Sequence, residues 1–508
     1  TMVELPKKYD SKESEKKWQA YWDKNKLYRF NPEDKREVYS VDTPPPTVSG
    51  KMHMGHAFGN SQQDFIARFK RMRGFNVLQP FGTDDNGLPT QNLIQKLKKV
   101  RAQDMSRKEF VKLCLETLEK IRPDFIYDWR RLGVSADYDV SYSTISEHCQ
   151  RISQKSFIDL HKEGREYRTE GPTIWCPECK TAIAQVEMKD EEKKSSLVYI
   201  EVKTENEKTL TFATTRPELY PSCVGMSVNP DDKRYKDYIG QEIRLPLTNA
   251  KIKITSDSMI DPEFGTGALG VTPAHSSIDY EMSLRHKLPL KQVIDEYTRM
   301  TVGPNGIKGE KTKVAREEIV KWLDKNNLLE KEEDIVQNIS TAERTGAVVE
   351  PLPKLQWFID VDKKFKLPKS NIKGIKSGED VTLKQLMKVV VENGQITLLP
   401  KRFYKEYFRW VDNLRPWCIS RQIWFGHRIP VWYKEDEIKV GIEAPKGSGW
   451  EQDSDTLDTW FSSGLWTFST LGWPKKTQDF KDYHPTDVLE TGYDIIFFWV
   501  ARMILMST

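Results

Sequence analysis

Thr43-Pro-Pro-Pro-Thr-Val-Ser-Gly-Lys-Met-His-Met-Gly-His56 is the stretch that decides how this chain folds. The residues before it, Glu37 to Val41, are β-branched or aromatic in a short run, which predicts a strand. After it, apolar side chains recur at helical spacing from Gly55 until the pattern ends at Gly74. Since prolines hold the connecting loop extended, the sequence predicts a strand, a stiff loop and a helix in succession.

Two histidines, His53 and His56, stand at the entry to this predicted helix. Their spacing lets both imidazoles face one anion from the first turn, and a helix N-terminus favours phosphate. Gly50 and Gly55 leave room for a ligand to approach the backbone. The alternatives are an ordinary surface loop or a metal pair, but the His-Glu-x-x-His pattern of zinc proteases is absent here and two imidazoles make an incomplete zinc site. We therefore predict a nucleotide-phosphate site.

Length and composition narrow the class of protein. With 508 residues the chain is expected to hold two to four domains. Lys and Arg number 79 against 75 Asp and Glu, so any RNA-binding surface must be a local patch. Six cysteines do not form a disulfide framework in a chain of this size. Because the sequence has neither a signal peptide nor an apolar run of membrane-spanning length, we expect a soluble cytoplasmic protein with no membrane partner.

A second strand is predicted at Asn76 to Phe81, ending in Gly82-Thr-Asp-Asp-Asn-Gly87. The helical crossover makes the two strands parallel, and loops at the carboxyl ends of parallel strands share one crevice. Asp84 should therefore face the same ligand as the histidine loop. Residues 91 to 165 are predicted to be mostly helical, and Ser11 to Lys26 to form a charged amphipathic helix that serves as a packing appendage.

The histidine loop resembles the HIGH motif of class I aminoacyl-tRNA synthetases, in the form used by the valine, isoleucine and leucine enzymes. This resemblance implies an α/β catalytic domain with a doubly wound parallel sheet, Rossmann-like, interrupted by a mixed β-rich editing domain. It also implies that ATP with Mg²⁺, an amino acid and tRNA are the ligands, that an aminoacyl-adenylate is the intermediate, and that the protein is a monomer. In this interpretation His53 and His56 are catalytic and, with Gly55, bind ATP.

Two segments between residues 195 and 340 resemble the editing domain of the same enzymes, although Thr, Gly and Pro are also ordinary turn residues. They are Ala213-Thr-Thr-Arg-Pro-Glu218 and Phe264 to Tyr280. The resemblance implies a pocket that holds a misacylated tRNA 3′ end, made by Thr214, Thr215, Arg216, Thr272, His275 and Asp279. Gly270 and Ser276 depart from the usual valine-type pattern, which has Lys and Asp there.

Cys176-Pro-Glu-Cys179 is a good half of a zinc knuckle. Relatives often carry a second cysteine pair where the chain returns from the insertion. In this sequence the return stretch is Thr341 to Gly346, with Ala342 and Thr345 at the expected cysteine positions. Cys176 and Cys179 are therefore candidate zinc ligands in an incomplete site, since two thiolates fill half of a tetrahedral site.

Later motifs resemble the valine members of the family most. They are Gly426-His-Arg-Ile-Pro430 and Asp458 to Pro474. The resemblance implies an amino-acid pocket formed by Pro44, Thr47, Asp84, Trp460, Ile495 and Trp499. It further implies ATP contacts at Gly492 and Asp494, of which the acidic residue suits ribose hydroxyls. A narrow apolar slot rejects an added hydroxyl only weakly, a weakness for which valine enzymes are themselves the known example, so a second, hydroxyl-reading site is expected.

The predicted organisation is an N-terminal helical appendage (1–36), the first half of the catalytic domain (37–170), a zinc-knuckle-like stem (171–194), the editing domain (195–340), a return stem (341–400) and the second catalytic half (401–508). No Lys-Met-Ser-like run follows Trp460, so we expect an N-terminal fragment with impaired activation. The predicted activity is ATP-dependent attachment of valine to tRNA(Val) with editing of Thr-tRNA(Val). The alternatives are an editing-only or tRNA-binding module, an isoleucine-specific enzyme, and a non-catalytic RNA-binding scaffold.

Overall fold

The computed structural model of the chain describes residues 8–48, 50–304 and 306–508, apart from the side chain of Val186. It divides into two compact units. The first comprises Thr1–Tyr167 and Ile359–Thr508, and the second comprises Arg168–Phe358. The first unit is thus assembled from two chain segments that flank the second in sequence.

Helices and strands alternate through the first segment. They are α1 (Ser11–Asn25), β1 (Val38–Asp42), α2 (Met54–Met72), β2 (Asn76–Leu78), β3 (Pro80–Thr83), α3 (Leu88–Lys98), α4 (Arg107–Leu132), β4 (Asp137–Ser143) and α5 (Glu147–Lys162). The predicted strand, loop and helix around the histidines are confirmed as β1, the proline loop and α2. Gly133 ends α4 in a left-handed conformation, as glycine permits.

One sequence prediction for this segment needs correction. The strand predicted at Asn76 to Phe81 is divided at Gln79, because β2 pairs with β1 whereas β3 pairs with β4. The prediction of mostly helical structure for residues 91 to 165 is confirmed by α3, α4 and α5, although the region also contains the seven-residue strand β4. Its sequence, Asp-Tyr-Asp-Val-Ser-Tyr-Ser, is polar and largely half-exposed, so it lacks the apolar signal of a buried strand.

From residue 166 to residue 359 the chain is mainly β-structure. The elements are β5 (Glu166–Cys176), β6 (Thr181–Ala182), β7 (Met188–Lys203), β8 (Thr209–Thr214), β9 (Gly225–Val228), β10 (Glu242–Arg244), β11 (Lys251–Ser256), β12 (Ala268–Val271), α6 (Ser277–His286), α7 (Thr312–Lys325), β13 (Leu329–Ala342) and β14 (Glu350–Ile359). The sheet order is β13-β7-β8 in one sheet and β10-β11-β9-β12 in another. Ile200, Phe212, Met226 and Ile319 belong to the buried core of this unit.

The last segment has short strands and helices. They are β15 (Phe365–Lys366), β16 (Asp380–Val381), α8 (Leu383–Glu392), α9 (Phe403–Asp412), β17 (Trp417–Cys418), β18 (Ser420–Arg421), β19 (Val431–Lys434), β20 (Glu437–Val440), β21 (Glu451–Gln452), β22 (Thr456–Leu457), α10 (Thr459–Ser463), α11 (Trp466–Ser469), α12 (Gln478–Tyr483), β23 (Val488–Leu489) and α13 (Ala501–Ser507). A π-helical turn, Ile496–Val500, leads directly into α13.

A parallel sheet joins the two segments of the first unit. Its order is β2-β1-β23, with Val41 opposite Val488 and Asp42 opposite Leu489. The carboxyl ends of β1 and β23 therefore lie side by side, which is where ligands bind in open α/β sheets. The predicted α/β class with a parallel sheet is confirmed. In the ranges that the structure describes, no helix has both the length and the apolar character needed to cross a bilayer.

Candidate active site

The two histidines of the loop after β1 form one stacked pair. Their ring centroids lie 3.7 Å apart with an interplanar angle of 20°. His53 is the N-cap of α2, and its Nδ1 accepts a long hydrogen bond of 3.4 Å from the His56 backbone N–H. A Cβ at Gly55 would come within 3.1 Å of the His53 ring, so glycine leaves space for this arrangement. The pair occupies the N-terminus of α2, where backbone N–H groups favour an anion.

The two imidazoles differ in environment. His53 is exposed, whereas His56 is half-buried and packs against Trp129 at 5.4 Å. Burial, with the neighbouring His53 charge, lowers the pKa of His56 to about 4. His56 is therefore neutral at physiological pH. Its Nδ1 is buried and has no hydrogen-bond partner among the described residues, so it is free to meet a bound ligand.

Asp84 lies beside the proline loop, as the parallel-strand argument predicts. Thr47 and Asp84 form a parallel bridge, in which the Asp84 N–H donates to the Pro46 carbonyl at 3.0 Å. The carboxylate is buried and accepts a hydrogen bond of 2.8 Å from the Thr144 hydroxyl. Burial chiefly, opposed by that bond and assisted by the charge of Asp85, raises the pKa of Asp84 to about 7. A cation at this carboxylate would restore its ionised form.

The helix α10 connects Asp84 with the predicted aromatic wall. The Thr459 hydroxyl lies 3.3 and 3.4 Å from the two carboxylate oxygens of Asp84. The next residue, Trp460, is half-buried, and its indole N–H has no acceptor among the described residues. Asp458 fixes this helix, because it caps the Trp460 N–H and accepts 2.8 Å from Arg421 Nη2. The sequence segments around residues 84 and 460 thus meet at one carboxylate.

The remaining wall residues come from the two short helical turns that precede α13. Trp460 and Ile495 pack on the buried cluster of Trp466, Trp499 and Met503. Trp499 is fully buried, and its indole N–H donates to the Ser463 carbonyl at 3.1 Å. A Cβ at Gly82 would collide with the Trp466 ring, so a side chain there is incompatible with this packing. Pro44 is half-buried between β1 and Thr47.

Two acidic residues at the sheet edge were not identified from the sequence. Asp42 ends β1, and burial raises its pKa to about 6 against the hydrogen bond from Trp466 Nε1 at 2.8 Å. Glu490 follows β23 and donates its backbone N–H to the Asp42 carbonyl at 3.0 Å. Burial raises the pKa of Glu490 to about 7. Asp42 directly follows the strand predicted at Glu37 to Val41, so its position could have marked it as a site residue. Glu490 had no such signal, because the two-residue strand β23 is too short to be predicted from the sequence.

The predicted ATP contacts Gly492 and Asp494 follow Glu490 in the same turn. A Cβ at Gly492 would collide with the Asp494 carboxylate, which shows that Asp494 folds back over the glycine. Asp494 is exposed and therefore available to hydroxyl groups of a ligand. The placement of these two residues beside the carboxyl end of β23 is compatible with a nucleotide at the sheet edge, and their roles stay predictions.

His427, noted above only as part of a motif, is a buried support for Asp84. Its Nε2 lies 2.7 Å from the Thr144 carbonyl and its Nδ1 lies 3.0 Å from the Ser153 hydroxyl. Because a carbonyl only accepts, Nε2 carries the proton and donates to Thr144. Burial lowers the pKa of His427 to about 4, which agrees with a neutral ring. His427 therefore holds the segment whose Thr144 hydroxyl orients Asp84.

In the second unit, the predicted editing residues are hydrogen-bonded mainly to one another and to nearby backbone groups. Asp279 is buried near the start of α6 and accepts three hydrogen bonds, from the Thr272 N–H (2.7 Å), the Thr272 hydroxyl (3.2 Å) and the Ser276 hydroxyl (2.9 Å). Burial, opposed by these bonds, raises the pKa of Asp279. Ser276, one of the two departures from the valine-type pattern, thus caps α6 and also binds Asp279.

His275 and Arg216 both contact the first residues of β14. His275 Nδ1 donates to the Pro351 carbonyl at 3.0 Å, and its Nε2 accepts from the Val293 N–H at 3.0 Å. Arg216 pairs with Glu218 at 3.0 Å and with Glu350 at 2.9 Å. Both nitrogens of His275 are thereby used within the protein. His275 therefore links the start of β14 to Val293, and its predicted place in an editing pocket stays a prediction.

The first predicted editing motif lies next to the second. Thr214 ends β8, and its hydroxyl accepts from the Arg216 N–H at 3.0 Å, while Thr215 is half-buried. A Cβ at Gly270 would stand 3.2 Å from the Phe212 ring and 3.3 Å from the Cys223 sulfur. Close packing therefore leaves little room for a side chain at position 270, so the lysine that is usual at this position in the family would crowd Phe212 and Cys223.

The cysteine pair meets the return stretch as expected, but the donor set does not suit zinc. Cys176 and Ala342 share one buried apolar cluster, and Cys176 Sγ lies 3.5 Å from the Thr345 hydroxyl. Among the described residues no group of three His, Cys, Asp or Glu side chains is placed to hold a metal. Ala342 and Thr345 supply no thiolates, so Cys176 and Cys179 fall short of a four-ligand site.

Comparison with known proteins identifies the family to which the chain belongs. The family model described as class I tRNA synthetases (I, L, M and V) matches residues 17–448 and 442–508. The valine–tRNA ligase of Thermotoga maritima is 39% identical over 520 residues, covering 100% of this chain and 58% of that protein. The enzyme of the same name from Carboxydothermus hydrogenoformans is 40% identical over 523 residues, covering 99% and 57%.

Among solved structures, the ternary complex of LeuRS from Agrobacterium radiobacter K84 with tRNA and LeuAMS gives a TM-score of 0.45 at 16% identity, covering 95% of this chain and 63% of that one. The chain spans less than 60% of the length of the two curated relatives above. The family model, by contrast, matches nearly all of this chain. The chain therefore belongs to the class I tRNA synthetases of the isoleucine, leucine, methionine and valine group.

Proposed function

We propose that the first unit activates valine with ATP to form valyl-adenylate and transfers the valyl group to tRNA(Val). The observation that carries this proposal is Asp84, a buried carboxylate held by two threonine hydroxyls beside the half-buried Trp460. Such a group fits an α-ammonium next to an apolar side chain. The 39–40% identity to two valine–tRNA ligases supports the choice of valine.

In this proposal the chain's residues position the reactants and stabilise charge. Asp84 binds the valine ammonium and leaves the valine carboxylate to attack the α-phosphorus of ATP, with pyrophosphate as the leaving group. The N-terminus of α2 with His53 and neutral His56 donates to phosphate oxygens as negative charge shifts. The Mg²⁺ that accompanies ATP is part of that substrate. No covalent bond to the protein is required, because alignment and charge stabilisation supply the catalysis.

The second unit is proposed to hydrolyse Thr-tRNA(Val). Its supporting feature is Asp279, buried among the hydroxyls of Thr272 and Ser276 close to the Thr214 segment. A hydroxyl-rich pocket can hydrogen-bond the threonine hydroxyl that an apolar slot tolerates. Editing and transfer both require tRNA, which we propose as the macromolecular partner.

Two alternatives each use part of these residues. An isoleucine-specific enzyme would also have a Trp-lined slot, and an editing-only module would use the second unit without the first. The raised pKa of Asp84 and the unpartnered Nδ1 of His56 favour a functional activation site. The identity to valine enzymes favours valine over isoleucine.

Calorimetry with the non-hydrolysable valyl and isoleucyl sulfamoyl-adenosines tests the activation site without requiring turnover. Tighter binding of the valyl analogue is expected, and His56→Ala should weaken it while leaving the melting temperature nearly unchanged. Equal binding of both analogues would contradict valine specificity, and unaltered binding by the His56→Ala protein would contradict the role of the histidine pair. Hydrolysis of Thr-tRNA(Val) by a protein that binds neither analogue would favour the editing-only module.

A further inference from the structure

One short segment of the first unit concentrates positive charge. Residues 363–376, here called the lysine segment, contain six lysines and neither Asp nor Glu; the lysines are Lys363, Lys364, Lys366, Lys369, Lys373 and Lys376. All six side chains are exposed. These six lysines contribute +6 to a chain whose net charge is +4.

The lysine segment is folded and has its own small core. β15 pairs with β16 in antiparallel register, with Phe365 opposite Val381. The apolar side chains Phe365, Leu367, Ile372 and Ile375 pack with Val381, Leu386 and Val389. The Arg165 guanidinium also lies 3.5 Å from the Phe365 ring centroid. The charges are therefore presented on an ordered surface rather than on a loose tail.

Most of these ammonium groups have no carboxylate partner. Lys363 Nζ donates to the Gly164 carbonyl at 2.6 Å, while the other five make no ion pair within the described residues. Asp380 lies opposite Lys366 in the strand register without forming such a pair. The Glu379 carboxylate is engaged by the Lys376 backbone N–H at 2.9 Å. Asp362, which precedes Lys363 in the chain, lies 3.7 Å from the Nζ of Lys384, so in the described part of the chain the acidic residues that flank the segment form no ion pair with its lysines.

The chemistry of this surface selects one kind of partner. Repeated exposed ammonium groups match the evenly spaced phosphates of a nucleic-acid backbone. Insertion into a membrane needs exposed apolar anchors beside the charge. Here the apolar residues of the lysine segment face its own core. A polyanion with charges on a regular backbone therefore fits better than a lipid surface.

We propose that the lysine segment is a contact surface for the phosphate backbone of RNA. This inference rests on the proposed function for the identity of that RNA as tRNA, and it assigns part of the binding free energy to residues outside both candidate pockets. Contacts of this type are independent of base sequence, so the surface would strengthen binding of tRNA without selecting among tRNAs.

The test is fluorescence anisotropy with end-labelled tRNA(Val) transcript, titrated with the full chain at several KCl concentrations. The variant replaces Lys364, Lys369, Lys373 and Lys376 with Gln. We expect affinity to fall by roughly tenfold and the log–log salt slope to decrease by about 2 to 4. The matched control replaces exposed Lys96, Lys98, Lys99 and Lys108 with Gln, which changes the net charge equally. The control should lose much less affinity.

Each outcome decides the inference. Unchanged affinity in the variant, or an equal loss in the control, would overturn it while leaving the proposed function intact, provided that the unmodified chain binds tRNA. An unmodified chain that fails to bind tRNA at low salt would overturn the inference, and it would leave valine activation to be judged by the analogue-binding experiment. A variant that keeps tRNA binding but loses binding to phosphatidylserine vesicles would assign the surface to a membrane. Should the fourfold variant unfold, Lys369→Gln with Lys373→Gln alters only two exposed loop side chains and is expected to give a smaller loss in the same direction.

Discussion

The two candidate sites differ in how far the protein satisfies its own polar groups. At the sheet edge of the first unit, His56 Nδ1 and Trp460 Nε1 are buried without partners in the described structure, and burial raises the pKa of Asp84 to about 7. In the second unit, His275 and Asp279 have every hydrogen-bonding atom engaged by protein groups.

This difference indicates two ways of preparing a site. Unpaired buried groups cost free energy until a ligand meets them, so the first site is poised to gain from binding. Saturated groups form a fixed frame whose shape is set before the ligand arrives. Substitution should therefore affect ligand affinity most in the first unit and fold stability most in the second.

The largest expected effect comes from Asp84→Asn. The change removes the charge that would pair with a substrate ammonium, which typically costs about 2–5 kcal/mol for a buried charged pair, or roughly 30-fold or more in affinity. Calorimetry with the valyl adenylate analogue measures it. Asp479→Asn, an exposed carboxylate on α12, is the control. A loss of less than threefold would show that Asp84 does not bind the ammonium.

The second unit should respond in stability instead. Glu218 is fully buried and accepts from Arg316 at 2.7 and 2.9 Å as well as from Arg216. Arg316→Met leaves this carboxylate short of donors and should destabilise the unit by about 2–3 kcal/mol, less than a fully buried pair because Arg316 is 35% exposed.

Urea unfolding followed by far-UV dichroism measures the change. Lys321→Met removes an exposed pair with Glu318 and should cost under about 0.5 kcal/mol. Equal destabilisation by the two substitutions would contradict the idea of a pre-formed ionic frame.

The next largest expected effect is a pH dependence of ligand affinity at the first site. Because the pKa of Asp84 lies near 7, affinity for the valyl analogue should rise as pH increases toward 7 and level off above it, by at most about tenfold per pH unit. The effect of pH on the free energy of unfolding has the opposite sign. The native protein holds the Asp84 proton more tightly than the unfolded chain, so this contribution to stability is lost as pH rises from 3.8 to about 7.

Titration calorimetry between pH 5.5 and 8.5 provides the measurement. Glu490 also has a pKa of about 7. Glu490→Gln is therefore run in parallel, and loss of the pH slope in that variant would assign the slope to Glu490 instead.

The smallest effect is expected at the cysteine pair. Since Ala342 and Thr345 stand where a second pair of cysteines would be expected and supply no thiolate, a chelator such as 1,10-phenanthroline should leave the melting temperature unchanged. Differential scanning calorimetry with and without the chelator checks this, together with metal analysis of the purified protein. A fall of several degrees on chelation would show that ligands from elsewhere complete a metal site.

Local sequence patterns predicted the parts of the first site that depend on neighbours in the chain. The proline loop, the histidine pair and Asp84 each follow a recognisable strand, and parallel pairing then brings them together. Glu490 was missed because β23 has only two residues and its place beside β1 is set by packing far along the chain.

The sequence also did not predict which polar side chains would be hydrogen-bonded to each other within the protein. Arg216 stands in a motif that predicts a pocket, but its partner Glu350 is 134 residues away. His427 likewise reaches Thr144 across 283 residues. Composition and periodicity contain no information on such pairs, since they arise only when distant strands are brought into register.

The bond between Thr459 and Asp84 joins residues 375 positions apart, and this has a consequence for synthesis of the protein. At about 5–20 residues per second, translation needs roughly 20–75 s to progress from one to the other. During that interval Asp84 exists without the helix that completes its surroundings. The second unit is contiguous in sequence between the two, so its whole chain leaves the ribosome before the surroundings of Asp84 can be completed.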